Sequence, residues 1–194
     1  FSVSVGGRYQ ETWTGKTIKF NDFNEGSGAI KDTLNGFDRF GVYNYNASVT
    51  TKIYGIVNFK PKNKVQSIRH TITPSITYSN NPSFEEYYDT YIIDAEGNTA
   101  EYTRFQGGLY GVPGKNYSSS IGLNIQNVLE AKVKPKDSTE TELRKINIFK
   151  NLNISTSYNL AAEEFQLSPI RVSGAIDIAQ GFSVNTGATF DPYA

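Results

Sequence analysis

The feature that most restricts the fold is a two-residue alternation of apolar and polar side chains between Tyr43 and Phe59. The odd positions carry Tyr, Val, Ile, Phe or small residues, whereas most even positions carry Asn, Ser, Thr or Lys. Successive side chains of a strand point to opposite faces of its sheet. This period therefore predicts a long strand with one apolar face and one polar face.

The same alternation returns in five further segments, and two weaker ones bring the expected number of strands to about eight. The strong segments are Ile68–Tyr78, Ile121–Val133, Leu152–Leu160, Ile170–Ile178 and Phe182–Phe190, and the weaker ones are Phe1–Trp13 and Tyr102–Tyr110. No stretch shows a convincing helical period. We therefore expect an all-β, antiparallel chain.

The expected connections alternate in length along the chain. The long ones are Thr14–Asp38, Asn80–Glu101 and Pro135–Lys145, and the shorter ones are Lys60–Ser67, Gly111–Tyr117 and Ala161–Ser168. Only the tight link Ala179–Gly181 departs from this order. Long loops on one side and short turns on the other are typical of outer-membrane barrels.

Alternation alone fits a transmembrane barrel, a soluble β-sandwich or a lipocalin-like barrel, because each has one apolar face. Three details favour the transmembrane barrel. Several strands exceed ten residues, the polar face is rich in Asn, Ser, Thr and Gln, and aromatic residues cluster near strand ends as in interfacial girdles. These aromatic residues are Tyr43, Tyr45, Phe59, Tyr78, Tyr110, Tyr158 and Phe182. The sequence thus predicts a transmembrane β-barrel of a bacterial outer membrane.

In such a barrel each alternating position has an expected environment. The polar positions expected to face a hydrated lumen are Asn44, Ser48, Thr50, Lys52, Arg69, Thr71, Thr73, Asn124 and Gln126. The apolar positions expected to face lipid are Val49, Ile53, Val57, Ile72, Ile76, Leu123 and Ile125. Pro74 lies inside a strand and cannot donate a ladder hydrogen bond, so it predicts a bulge or a weakly paired position.

The composition argues against catalysis, cofactors and nucleic acid. The formal net charge is zero, which provides no broad basic surface for a nucleic acid. The absence of cysteine removes thiol catalysis and thiolate metal sites, and a lone histidine, His70, cannot build a two-histidine metal site. No nucleophile and base share one face of a strand, so we expect no enzyme activity, no cofactor and no metal.

Six segments, in order, resemble a divergent branch of the LptD (OstA/Imp) family of lipopolysaccharide-assembly outer-membrane proteins. They are Thr50–Lys62, Ile68–Tyr78, Phe105–Lys115, Leu152–Ala162, Phe165–Gly174 and Ala188–Ala194, and they are spread over residues 50–194. The resemblance implies a large barrel that receives lipopolysaccharide from periplasmic bridge proteins. It also implies release through a lateral seam into the outer leaflet and an LptE-type lipoprotein within the lumen.

The chain also departs from the full family pattern. Among these 194 residues we expect no periplasmic domain, and they contain none of the cysteines that many members carry and no identifiable pair of seam strands. Phe1 already lies in strand-like alternation, so we expect either that a signal peptide has been removed by processing or that the chain is a piece of a longer protein, and we favour the piece. We therefore expect residues 1–194 to form one barrel segment cut from a longer protein, and no gate residues are transferred from the family.

Three functions compete at this point. The first is transport of lipopolysaccharide and its insertion into the outer leaflet, with polar lumen positions hydrating the sugar-rich head. The second is a porin or nutrient-transporter barrel, which the same alternation permits. The third is a structural or adhesive barrel whose long loops bind a partner. Conductance of the purified protein separates the first two, because a porin is open and an assembly barrel is plugged.

Overall fold

The computed structural model of the chain describes residues 1–135, 142–179 and 182–194. These residues form ten strands and one short 3-10 segment, Glu85–Tyr87. The strands are β1 Ser2–Phe20, β2 Lys31–Thr50, β3 Ile53–Asn58, β4 Val65–Asn81, β5 Tyr88–Ile92, β6 Thr99–Thr103, β7 Ser118–Val133, β8 Arg144–Asn159, β9 Ile170–Ala179 and β10 Phe182–Phe190. Within the described residues, no helix is long and apolar enough to cross a membrane.

Eight of the ten described strands form one sheet in the order β1-β2-β4-β7-β8-β9-β10, with β3 also paired to β4. The β5–β6 hairpin forms a separate two-stranded sheet. The pairs β3–β4, β7–β8, β8–β9 and β9–β10 are all antiparallel. The predicted all-β, antiparallel class is therefore confirmed.

The alternating segments located most strands correctly. The predicted Ile170–Ile178 and Phe182–Phe190 match β9 and β10 within one residue, and β4, β7 and β8 extend beyond the predicted segments. The strand expected at Tyr102–Tyr110 is wrong beyond Thr103. There the chain enters a turn whose Gly107 and Gly111 have positive φ angles of 84° and 77°, which glycine adopts readily.

Several predicted connections change as a result. Residues 82–117 form one long link between β4 and β7 that contains β5 and β6, so Gly111–Tyr117 is part of this link and not a separate turn. Most of Thr14–Asp38 is also wrong as a loop, because β1 runs to Phe20 and β2 begins at Lys31. The links at Pro135–Lys145 and Ala179–Gly181 include residues 136–141 and 180–181, which lie outside the described residues.

The strand expected at Tyr43–Phe59 is divided into the end of β2 and the whole of β3. Both parts lie along β4 in one register, because the Thr51 N–H donates to the Pro74 carbonyl (3.1 Å) and Ile53 lies opposite Ile72. Pro74 has no N–H to donate back to the Thr51 carbonyl. The interruption at residues 51–52 thus lies beside a position that lacks one ladder hydrogen bond.

The chain folds into two compact units. The first, here called the sheet unit, comprises residues 1–6, 46–79 and 119–194, and the second, the cap unit, comprises residues 7–45 and 80–118. Within the sheet unit, Ala131 is the one buried hydrophobic residue among those described. Over the part of the chain that the structure describes, a conventional packed core is therefore found in the cap unit alone.

The core of the cap unit is built mainly from aromatic side chains. Its buried hydrophobic residues are Ile18, Phe40, Phe84, Tyr102, Phe105 and Pro113. Phe20 stacks on Tyr91 with ring centroids 4.4 Å apart, and the Phe40 and Phe105 rings lie 4.7 Å apart. Such ring pairs add stabilisation beyond the area that they bury. The link between β4 and β7 is therefore packed on the cap-unit portions of β1 and β2.

Arg104 connects this link to β2. Its guanidinium Nε donates to Asp38 at 2.7 Å, and its Cζ atom lies 4.6 Å from the centre of the Phe105 ring. The same Cζ atom lies 5.7 Å from the centre of the Tyr87 ring. An arginine can pair with a carboxylate and stack on rings simultaneously, because its charge is spread over a planar group.

Replacing Arg104 is expected to destabilise the cap unit. Arg104→Ala should lower the free energy of unfolding by about 1–2 kcal/mol, because it removes a partly buried ion pair together with cation–ring contacts. Thermal unfolding, combined with limited proteolysis of residues 82–117, measures the effect. The matched control is Lys115→Ala, which removes the more exposed ion pair with Glu101 and should cost less. Equal losses for the two variants would contradict this role for Arg104.

Candidate functional site

The registers of the sheet unit place apolar residues beside apolar residues and polar residues beside polar ones. On one face, Ile125 lies opposite Ile154, Ile154 opposite Val172, and Val172 opposite Ala188. On the other, Asn124 lies opposite Ser155, Ser155 opposite Arg171, and Arg171 opposite Thr189. Paired residues of an antiparallel ladder share a face. The alternation seen within each strand therefore becomes two chemically distinct faces of the sheet.

The apolar face is largely open to its surroundings. The fractional exposure of Val49, Ile53, Val57 and Ile76 is 48%, 53%, 58% and 53%, and that of Leu123 is 36%. Ile72 and Ile125 are half-buried by their neighbours in the sheet. A soluble sandwich would cover this stripe with a second layer, but no layer of described residues covers it. Each half-exposed side chain of this size leaves roughly 1 kcal/mol of burial free energy unused in water.

The polar face contains most of the residues expected to line a lumen. The Thr50 hydroxyl donates to the Ser75 hydroxyl at 3.0 Å, which joins β2 to β4 on this face. The β3–β4 register places Thr71 and Arg69 on the same face. Continued by one residue, this register sets Lys52, which lies in the strand interruption, opposite Thr73. Ser48 shares the face by alternation with Thr50. These residues thus form one continuous polar surface.

The remaining lumen candidates lie on β7 and in the cap unit. Asn124 and Gln126 lie opposite Ser155 and Asn153, so they belong to the polar face of the sheet unit. Asn44 instead lines a cavity of about 290 Å³ in the cap unit, together with Arg8, Gln10 and Asn81. The structure therefore brings eight of the nine predicted residues together in the sheet unit and describes Asn44 separately.

The sequence analysis did not assign two large apolar or aromatic side chains, Tyr54 and Ile56, to the polar face. Tyr54 lies opposite Thr71 and Ile56 lies opposite Arg69, and each is 62% exposed. They occupy even positions of the alternating segment, where polar residues predominate. The polar face of β3 is therefore partly lined by exposed hydrophobic surface.

A group of charged residues spans β4, β7 and β8 on the polar face. The Glu130 side chain is only 10% exposed, and its two oxygens pair with different cations. Arg69 Nε and Nη2 donate to Oε2, the Nε at 2.8 Å, and Lys145 Nζ donates to Oε1. A buried carboxylate is stable only with such partners. We call Arg69, Glu130, Lys132 and Lys145 the charged cluster.

The charged cluster borders a cavity of about 380 Å³. Ile56, Asn58, Ser67 and Ala131 complete its lining. Sequence reasoning placed Arg69 on the polar face but singled out neither Glu130 nor Lys145. The cluster depends on contacts between residues 61 positions apart in the chain, and single-strand patterns contain no signal for such pairs.

His70 lies on the apolar face with a polar partner. Its Nε2 is 3.1 Å from Asn127 Oδ1, and Asn127 Nδ2 donates to the Leu152 carbonyl at 3.3 Å. Gly55, directly opposite His70, contributes no side chain. This pair satisfies the polar groups that otherwise interrupt the apolar stripe, as an apolar environment requires.

Outside the main sheet, the charged residues serve local structure. Asp94 accepts hydrogen bonds from the Asn98 side-chain amide (2.7 Å) and backbone N–H (2.9 Å), and these bonds lower the pKa of the Asp94 carboxyl. The Glu101 carboxylate beside Lys115 raises the pKa of that ammonium group. Among the described residues, no group of three or more His, Cys, Asp or Glu side chains is arranged to hold a metal ion.

Comparison with known proteins gives one match. A family model described as "LptD protein" matches residues 1–193, which is nearly the whole chain. No curated protein and no solved structure matches the chain. The resemblance noted in separate segments therefore extends across the sequence.

Proposed function

Because the chain belongs to the LptD family, an outer-membrane family of lipopolysaccharide transport and assembly, we propose that it forms part of a barrel wall. The barrel inserts lipopolysaccharide into the outer leaflet of a bacterial outer membrane. The apolar face of the sheet unit contacts acyl chains, and the polar face lines a hydrated lumen. The barrel is larger than the described sheet, so the chain supplies only some of its strands.

The observation that most strongly supports this proposal is an uncovered apolar face on one side of the sheet and a polar face on the other. In water, an exposed stripe of Val and Ile favours association or collapse onto a second layer. In a bilayer the same stripe meets hydrocarbon, and the backbone groups remain paired within the ladder, as a membrane-spanning segment requires. A barrel wall is the structure in which one layer of strands meets both requirements.

Strand length supports the same proposal. A strand tilted in a bilayer crosses the hydrocarbon in about 9–11 residues. β1, β2, β4, β7 and β8 contain 19, 20, 17, 16 and 16 residues, while β9 and β10 contain 10 and 9. Each is long enough to cross, and the longer strands extend beyond the hydrocarbon at one or both ends. The usual strand of a soluble sheet has about five or six residues.

The polar face suits the head of a glycolipid. Hydroxyl and amide groups of Thr71, Thr73, Asn124 and Gln126 offer both donors and acceptors to sugar hydroxyls. Transfer from the lumen to the outer leaflet needs periplasmic bridge proteins that deliver the lipid and an LptE-type lipoprotein within the lumen. These partners are proposed on the basis of the family.

The assignment of faces predicts opposite effects at two adjacent positions of β4. Ile72→Lys places a charge on the apolar face and should cost about 2–4 kcal/mol if the residue lies near the bilayer midplane. Thr71→Lys places the same charge on the polar face, where water solvates it, and serves as the matched control. Folding efficiency into lipid vesicles, followed by the heat-dependent gel shift of the folded barrel, measures both. Similar folding of the two variants would argue against a lipid-facing Ile72.

The transport role is tested by depletion in cells. Reduced expression of the protein should leave lipopolysaccharide in the periplasm and lower its amount at the surface, because the last transfer step is lost. Surface labelling of lipopolysaccharide, compared with the total in the envelope, gives the ratio directly. Unchanged surface lipopolysaccharide together with high ion conductance of the purified protein would favour a porin instead.

A further inference from the structure

The charged cluster has more positive than negative charge. Arg69, Lys132 and Lys145 are three cations, and Glu130 is the single carboxylate among the residues that line this cavity, so three minus one leaves two positive charges. A network built only for stability would balance its charges, because unpaired cations repel one another. The excess makes the cavity suitable for an anion.

Glu130 holds two of the cations in place without using all their hydrogen-bond donors. A guanidinium has five N–H donors and an ammonium has three. Arg69 uses Nε and Nη2 on Glu130, and Lys145 uses its Nζ on the other oxygen. The side chains of Arg69 and Lys145 remain 50% and 58% exposed. Their remaining N–H groups are accessible to a ligand in the cavity.

The groups around the charged cluster favour an anion that is attached to both polar and apolar groups. Lys132 lies opposite Lys145 in the β7–β8 register, so the two ammonium groups share one face at neighbouring positions. Ser67 provides a hydroxyl, and Ile56 provides an apolar surface at the same cavity. An anionic group attached to a sugar and close to an acyl chain would meet a complementary partner on each side.

We propose that the charged cluster binds a phosphate group of the lipid that passes along the polar face. Phosphate accepts several charge-assisted hydrogen bonds simultaneously, and arginine with lysine is the pair best suited to provide them. This inference rests on the proposed function, because the phosphorylated sugars of the lipopolysaccharide anchor are its expected source. Free phosphate has the same chemistry, so the experiment must separate the two sources.

The test uses the purified protein in detergent. Isothermal titration compares lipid A bisphosphate, its dephosphorylated form and inorganic phosphate as ligands. The intact protein should bind the bisphosphate at least about tenfold more tightly than the dephosphorylated lipid, since charge-assisted hydrogen bonds are lost with the phosphate. Added salt should reduce this preference. The double variant Arg69→Gln/Lys145→Gln should abolish it.

A control variant and a second test variant complete the experiment. Lys19→Gln removes one positive charge at an exposed position of β1, outside the cavity, and should keep the preference. Lys132→Gln removes one cation of the charged cluster, leaves the Glu130 contacts of Arg69 and Lys145 in place and should weaken the preference. This variant keeps the test valid if the double variant does not fold. Binding of inorganic phosphate at the same site would indicate recognition of phosphate alone, and its absence would indicate recognition of phosphate on its lipid.

The failure of this inference is distinct from failure of the transport role. Equal affinity of the intact protein for both lipid forms, or an unchanged preference in a folded double variant, would overturn the phosphate site and leave transport standing. Unchanged surface lipopolysaccharide after depletion, with the phosphate preference intact, would overturn transport and leave the binding site.

Discussion

The interstrand hydrogen-bond ladder is the interaction on which the rest of the structure depends. It fixes which residues lie opposite each other, and this register determines which side chains share a face. A slip of one residue in β7 against β8 would move Ile125 beside Ser155 and mix the two surfaces. The ladder also pairs the backbone groups that hydrocarbon cannot solvate. One set of bonds thus creates the two faces and allows the apolar one to meet lipid.

The two units use different means of stabilisation. The cap unit has a packed aromatic core and the Arg104–Asp38 ion pair, which are the usual sources of stability in water. Among its described residues, the sheet unit buries a single hydrophobic residue, Ala131. The stability of its strands depends on the backbone hydrogen-bond ladder and on the molecules that contact the apolar face.

Much of the sheet could be predicted because alternation is a local property. Ile53, Ile72 and Ile125 needed only their own neighbours in sequence to be assigned to a face. The first half of β2 was missed because Lys31–Phe40 contains few apolar residues and no regular alternation. The strand expected at Tyr102–Tyr110 failed because glycine conformations beyond Thr103 favour a turn. Tyr54 and Ile56 contradict the local pattern, so only the register revealed their face.

The charged cluster could not be predicted for a different reason. Arg69, Glu130 and Lys145 come from three strands, and Lys145 was assigned to a loop in the sequence. Their contacts depend on β7 lying between β4 and β8, and no property of the separate segments determines that order. The same holds for the His70–Asn127 pair, in which each polar residue on the apolar face provides the hydrogen-bonding partner of the other. Non-local pairing, rather than strand propensity, therefore determines the chemistry of the faces.

We propose that the apolar stripe of Val49, Ile53 and Val57 lies against acyl chains. The chain contains no cysteine, so a spin label can be attached to one introduced residue at a time. With the protein reconstituted in lipid, labels at Ile53→Cys and Val57→Cys should collide more often with oxygen, which dissolves in hydrocarbon, than with a water-soluble nickel chelate. A label at Thr73→Cys should show the reverse. Equal access of the nickel chelate to all three positions would contradict the account.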